Sequence, residues 1–188
     1  MADFHNLSKA RAQRDGLPPV RFLDGKEETA LFAALRTQSE LYFSLSVFLL
    51  DTGARIGEAT ALKWASVGEQ SVTFEQGKTT IKRTIPLTKR AERAMAGQRE
   101  NADGPYVFSV RLQDYRTAWK NAKHDTGIFD ANLVPTVLRH TCAVRLVKGG
   151  VDLRTVQKWL GHRSLAMTMR YAQYAETDLE ACVRVLER

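Results

Sequence analysis

At 188 residues, 44% apolar and 26% charged, the chain has the make-up of one folded domain, which excludes collagen-like, low-complexity and disordered classes. The polar start MADFHNLSKA holds no signal-peptide run, the longest apolar run (41–50) is too short to span a bilayer, and two cysteines are too few for a disulfide scaffold. A net charge of +7 favours an anionic partner, nucleic acid ahead of an acidic membrane surface.

In chain order, residues 1–20 are polar, end in Gly16, Pro18 and Pro19, and read as a flexible linker or tail; residues 21–188 read as one domain. Asp24 with Glu27 three residues on is a capping box that opens a first helix, with Leu31, Phe32 and Leu35 as its buried stripe. Residues 41–51 are apolar nearly all round and predict the central core helix. Thr52-Gly53 breaks it, and 55–64 starts another helix with Ile56, Ala59 and Leu62 inward. The period then changes: 71–75 and 80–85 are β-branched, alternating runs joined at Gly77-Lys78, which predicts a hairpin with Lys78 at its tip. Further helices are predicted at 87–96 (closed by Gly97), 112–123 (Tyr115, Ala118, Trp119 inward), 136–148 (stopped by Gly149-Gly150) and 153–160 (capped by Asp152). Gly161-His162-Arg163 forms a turn, and Ser164 caps a helix bearing Tyr171. A last stripe, Leu179, Cys182, Val183 and Leu186, has helical spacing; Cys142 and Cys182 both sit in apolar helical patterns, where Cys acts as a small hydrophobe in a reducing cytoplasm. The fold class is mainly α with one small antiparallel β-sheet (α+β).

The stretch from Arg139 to Tyr171 carries the chemistry. Attack on a phosphodiester adds negative charge to the phosphoryl oxygens, so preorganised cations are the largest available rate effect. Arginine suits that role, since its planar fork binds two oxygens and stays charged. A phenol can attack and form a covalent ester, although ionising it at neutral pH costs roughly 4 kcal/mol without help. The leaving sugar oxygen needs a proton, which Lys or His can supply. Each residue has a plain structural alternative: Arg55 as a surface charge, Arg139 in a buried ion pair, His162 as a loop residue, Tyr171 as core, and Lys78 as a solvated tip. Together they make a set for transesterification without a metal.

The segments TGARIGEATALKW (52–64), GKTTIKRTIPL (77–87), LRHTCA (138–143) and LGHRSLAMTMRYAQYA (160–175), in that order, resemble the catalytic domain of the tyrosine recombinase (phage integrase) family, most of all integrases of phages and genomic islands. The resemblance implies that family's catalytic-domain fold over 21–188, the N-terminal DNA-binding domains being absent from this chain. It implies that Arg55 and Arg139 clamp the scissile phosphate, that Lys78 protonates the leaving 5′-hydroxyl and that His162 hydrogen-bonds the phosphate. Tyr171 then attacks to give a 3′-phosphotyrosyl bond. Glu58 matches a supporting acidic position, and His140 a His that is packed rather than catalytic. It implies no cofactor, double-stranded DNA as partner, a homo-tetramer on DNA through the C-terminal stripe (packing in cis being the alternative), an accessory DNA-bending protein and a cytoplasmic location. Lys82, Arg83, Lys89 and Arg90 are candidate DNA-backbone contacts, their alternative being a solvated charged face.

One position departs from the family pattern. Three residues before the second Arg the family has a His, sometimes Lys, that helps deprotonate the tyrosine; here it is Thr136, which cannot act as a base near neutral pH. Losing such a group removes about 10²- to 10⁴-fold in rate. The chain therefore has two readings: a recombinase with reduced activity, or a degenerate DNA-binding module. A type IB topoisomerase uses similar chemistry but different motif spacing. A metal site from Cys142, His140 and His162 lacks any zinc-like spacing.

Overall fold

The computed structural model describes residues 19–75, 82–99 and 104–176, with 180, 183, 186 and 187 near the C-terminus. The helix α1 (Gly25–Gln38) opens on the Asp24/Glu27 capping box and buries Leu31, Phe32 and Leu35. Ser39 ends α1 and caps α2 (Glu40–Thr52), whose residues 44–50 are all buried, so this helix forms the centre of the domain. Then come α3 (Ile56–Thr60), the antiparallel strands β1 (Ser71–Glu75) and β2 (Lys82–Pro86), α4 (Lys89–Arg99), α5 (Leu112–Asp125), α6 (Thr136–Lys148), α7 (Leu153–Leu160) and α8 (Ala166–Met169). Short 3₁₀ turns follow α3 (Trp64–Ser66) and α8 (Ala172–Tyr174). The fold is mainly helical with one two-stranded sheet, as the sequence pattern predicts. No helix of the described residues is long and apolar enough to cross a membrane.

The buried side chains of the described residues form two apolar clusters. The larger gathers α1, α2, α5 and the sheet around Phe48, Phe74, Phe108, Tyr115 and Trp119. The smaller joins Ala143, Val144 and Val147 of α6 to Val156, Leu160, Tyr171 and Tyr174. Helix α6 belongs to both, because Val137 and Leu138 face the first and Ala143 onward the second. Arg139 and His140 therefore fall at the seam between two cores.

The structure corrects several boundaries. The helix expected over 55–64 stops at Thr60, because Lys63 bridges to Tyr106 and the backbone of Leu62 and Trp64 bonds to Val107 and Pro105. Helix α4 starts two residues later than expected and runs through Gly97 to Arg99. Ser164 caps no helix: α8 begins after Leu165 and ends before Tyr171, which leads into the 3₁₀ turn instead. Val20, read as tail, is tied to the domain: its N–H donates to Tyr174 Oη at 3.0 Å and its carbonyl accepts from the same hydroxyl at 3.1 Å. The hairpin tip with Lys78, and Leu179 and Cys182 of the last stripe, lie outside the described residues; Val183 and Leu186 of that stripe are exposed.

Gly53 ends α2 in the left-handed region (φ +63°), and a Cβ there would sit 2.7 Å from Leu160 Cδ2 and 3.1 Å from Cys142 Sγ. Gly53→Ala is expected to cost about 1–2 kcal/mol for the backbone alone, before any steric cost. Thermal unfolding checks this; an unchanged Tm would refute the required conformation.

Candidate active site

The site is assembled from helix ends and helix breaks. Arg139 is 7% exposed on α6 and reaches across the seam. Its guanidinium donates to the carbonyl of Gly53 at 2.5 Å and to that of Leu160 at 2.8 Å. Leu160 is the last residue of α7, where the helix dipole presents partial negative charge, so a cation is favoured there. These bonds use two of five N–H groups and fix the fork in place. Burial lowers the Arg139 pKa to about 10, helped by Arg55 and Arg83 against the opposing pull of Glu58, so it remains a cation at neutral pH.

Arg55 sits at the N-cap of α3, half-exposed, just past the Gly53 break. Glu58, one turn on, accepts from the Arg55 backbone N–H at 2.8 Å and from its guanidinium at 3.0 Å. Both oxygens of the same carboxylate accept from Arg83 at 2.9 Å, and Arg83 Nε donates to the Trp159 carbonyl at 3.0 Å. Burial works to raise the Glu58 pKa, but the Arg83 fork and the Arg55 N–H outweigh it and hold the carboxyl below its ordinary value. Arg83 is 8% exposed and stacks over Phe74 at 4.5 Å. The face of β2 expected to carry a DNA contact here turns inward instead, because Arg83 shares its buried side with Ile85.

Tyr171 is 1% exposed. Its hydroxyl lies 2.8 Å from His140 Nδ1, and its ring stacks on His162 with centroids 6.4 Å apart. Burial raises the Tyr171 pKa while Arg139 and Arg170 pull it down, and the net shift is upward, so the phenol is protonated at neutral pH. His162 pairs through Nδ1 with Thr168 Oγ1 at 2.8 Å. Burial, then Arg139 and Arg55, lower its pKa to about 4, and burial with Arg170 and Arg139 does the same for His140. Both imidazoles are therefore neutral at pH 7.

One cavity of about 410 Å³ is lined by Arg55, Thr136, Arg139, His140, His162 and Tyr171. Thus Arg55, Arg139, His162 and Tyr171 converge from four separate segments, with Thr136 at the rim. Arg170 and Met167 also line it, and nothing in the residue pattern singles them out beyond a basic residue directly before Tyr171. Lys78 lies outside the described residues. Lys82 is exposed beside Glu75, and Lys89, 74% exposed, pairs with Glu92 at 3.0 Å. Arg90 bridges Asp51 and Glu28, tying α4 to α2 and α1. Among the described residues, no group of three or more His, Cys, Asp or Glu side chains could hold a metal ion.

Residues 21–178 match the model of the phage integrase family. The chain belongs to that family. The integrase of Escherichia phage P2 is 28% identical over 179 residues, covering 95% of this chain and 50% of that protein. The tyrosine recombinase XerD of Rhizobium meliloti is 35% identical over 155 residues, covering 75% of this chain and 50% of its own length. The chain thus spans about half the length of these two relatives. The catalytic domain of bacteriophage HP1 integrase superposes with a TM-score of 0.73 at 26% identity, over 88% of this chain and 94% of that one. The phage integrase catalytic-domain fold that the sequence resemblance implies is therefore the fold of the described residues.

Proposed function

We propose that this integrase-family domain cuts and rejoins strands of double-stranded DNA by transesterification, through a 3′-phosphotyrosyl intermediate. The observation that carries the proposal is the single cavity shared by Arg55, Arg139, His162 and Tyr171. In this reading a backbone phosphate enters the cavity and the two guanidinium groups bind its non-bridging oxygens, with His162 as a further partner. Charge developing on those oxygens is met by cations already fixed by protein carbonyls and carboxylates, so little reorganisation is needed. Tyr171 Oη attacks phosphorus and the 5′-oxygen departs, protonated by Lys78. The ester keeps the energy of the broken bond, so rejoining is the same reaction reversed and requires no nucleotide cofactor.

The net charge of +7 supports DNA as the partner, with the exposed Lys82 and Lys89 as backbone contacts. Assembly as a tetramer on DNA, through the C-terminal segment and with an accessory bending protein, is the assembly we infer. A lambda integrase tetramer bound to a Holliday junction has this fold (TM-score 0.65, 19% identity). The place of action is the cytoplasm. The competing reading, a module that binds without cutting, rests on Thr136.

The test is covalent capture. The protein is mixed with a pool of nicked duplexes of randomised core sequence, and denaturing electrophoresis separates adducts from free DNA. The expected result is an adduct whose tryptic peptide carries a nucleotide on Tyr171. Duplex retained under native conditions with no adduct would favour the binding-only reading.

A further inference from the structure

We infer that His140 takes the phenol proton of Tyr171 as that residue attacks phosphate, filling the role left open by Thr136. The inference rests on the proposed function, in which Tyr171 is the nucleophile. It departs from the expectation that His140 is merely packed.

The geometry begins with a buried hydroxyl. Tyr171 is 1% exposed and protonated, so its O–H needs an acceptor, and His140 Nδ1 lies 2.8 Å away. An imidazole accepts only at a nitrogen without hydrogen, which requires the neutral ring with its proton on Nε2. Burial, then Arg170 next to Tyr171 and Arg139 beside His140 on α6, keep this ring neutral, and Arg55, neutral His162 and Thr136 line the same cavity. Among the described residues, no carboxylate lines that cavity to favour the imidazolium. Thr136 stands one turn earlier on α6, exposed at the rim. The residue in direct contact with the nucleophile is therefore not the one at the family's usual position but the one four residues later.

A ring held neutral by burial and by neighbouring cations is a weak base until a substrate arrives. A phosphodiester bound between Arg55 and Arg139 brings a negative charge into the same cavity and offsets the field that disfavours the imidazolium. As Tyr171 Oη bonds to phosphorus, its proton passes to Nδ1. The bond from phosphorus to the 5′-oxygen breaks, and that oxygen takes a proton from the general acid. In rejoining, the 5′-hydroxyl attacks and gives its proton back to the general acid, the phenolate leaves, and His140 returns the proton to it. Charge and protons balance in both directions.

The experiment uses the duplex enriched by covalent capture. His140→Gln keeps a polar side chain of similar reach but cannot accept a proton near neutral pH. It is expected to slow single-turnover adduct formation about 10²-fold or more, with duplex affinity unchanged. The pH profile separates catalysis from packing. Wild type should be nearly level from pH 7 to 9, whereas His140→Gln should climb with pH because hydroxide must now remove the proton. Adding Thr136→His to His140→Gln should restore most of the rate. Equal rates and profiles for wild type and His140→Gln would overturn the inference while leaving Tyr171 as nucleophile. Absence of a Tyr171 adduct in wild type would overturn the proposed function. A second measurement needs no DNA: ¹⁵N NMR of the free protein should find His140 Nδ1 unprotonated and shifted by Tyr171→Phe. A proton on Nδ1 overturns the inference whatever the cleavage assay gives.

Discussion

Tyr171→Phe is expected to abolish the covalent protein–DNA adduct, a loss on the order of 10⁴-fold or more, since among the described residues no other tyrosine lines the cavity. The substitution is nearly isosteric, so the small core built on Val144, Val147, Val156 and Leu160 should persist. What disappears in the folded protein is one hydrogen bond to His140, worth about 1 kcal/mol net. Duplex binding should therefore survive, because the cations proposed to hold phosphate are untouched. Tyr174→Phe is the matched control. Its hydroxyl is occupied by the backbone of Val20 on both sides, and its ring packs edge-on against Phe22 at 5.3 Å. Removing that hydroxyl leaves two backbone groups unpaired and should lower stability by about 1–3 kcal/mol while the adduct still forms. The reverse outcome, adduct lost with Tyr174→Phe and kept with Tyr171→Phe, would mean that the nucleophile lies one turn further along the chain.

The legible parts of this chain are those set by local rules. A capping box at Asp24 and Glu27, a nearly all-apolar run over 41–51 and two alternating runs each specify an element without help from elsewhere, and each is found. Site residues are readable as residue types in order, but their contacts are not, because those depend on packing between distant segments. Arg139 reads as an arginine on an apolar helix; that its fork ends on Gly53 and Leu160 follows from how α6 crosses the α2 break and the α7 terminus. Likewise the His140–Tyr171 contact arises where α6 meets a 3₁₀ turn, and that turn is hidden in the sequence because Ser164 has the look of a helix cap. Arg83 is the instructive case. Charge suggests an outward-facing contact, yet period-two alternation puts it on the same side as Ile85, and alternation is the better guide. In a strand, face outranks charge when a buried carboxylate is waiting.

That carboxylate is the basis of the second large expected effect. Glu58 accepts four hydrogen bonds, two from Arg83 and two from Arg55, with both Glu58 and Arg83 largely removed from water. Glu58→Ala would leave the Arg83 guanidinium buried without its counter-charge, which costs about 3–5 kcal/mol. For a chain of this size that corresponds to a Tm lower by roughly 6–20 °C. Burying the pair was itself costly, so Glu58→Ala combined with Arg83→Met should recover much of the loss, since the double variant leaves no stranded charge. Catalysis should not recover with it. Arg55 is the half-exposed member of the proposed phosphate clamp, and Glu58 is what holds it at the α3 terminus; without that carboxylate the guanidinium is free to leave the cavity. The pH dependence has a definite sign. The Glu58 carboxyl is held below its unfolded value, so its contribution to stability is complete above that unfolded value and is lost as pH falls through the lower folded one. Calorimetry down the acid limb should find Glu58→Gln less stable than wild type at neutral pH and the gap narrowing in acid. A Glu58→Ala protein within a degree of wild type, or a double variant that regains full cleavage, would show that Arg55 needs no such support.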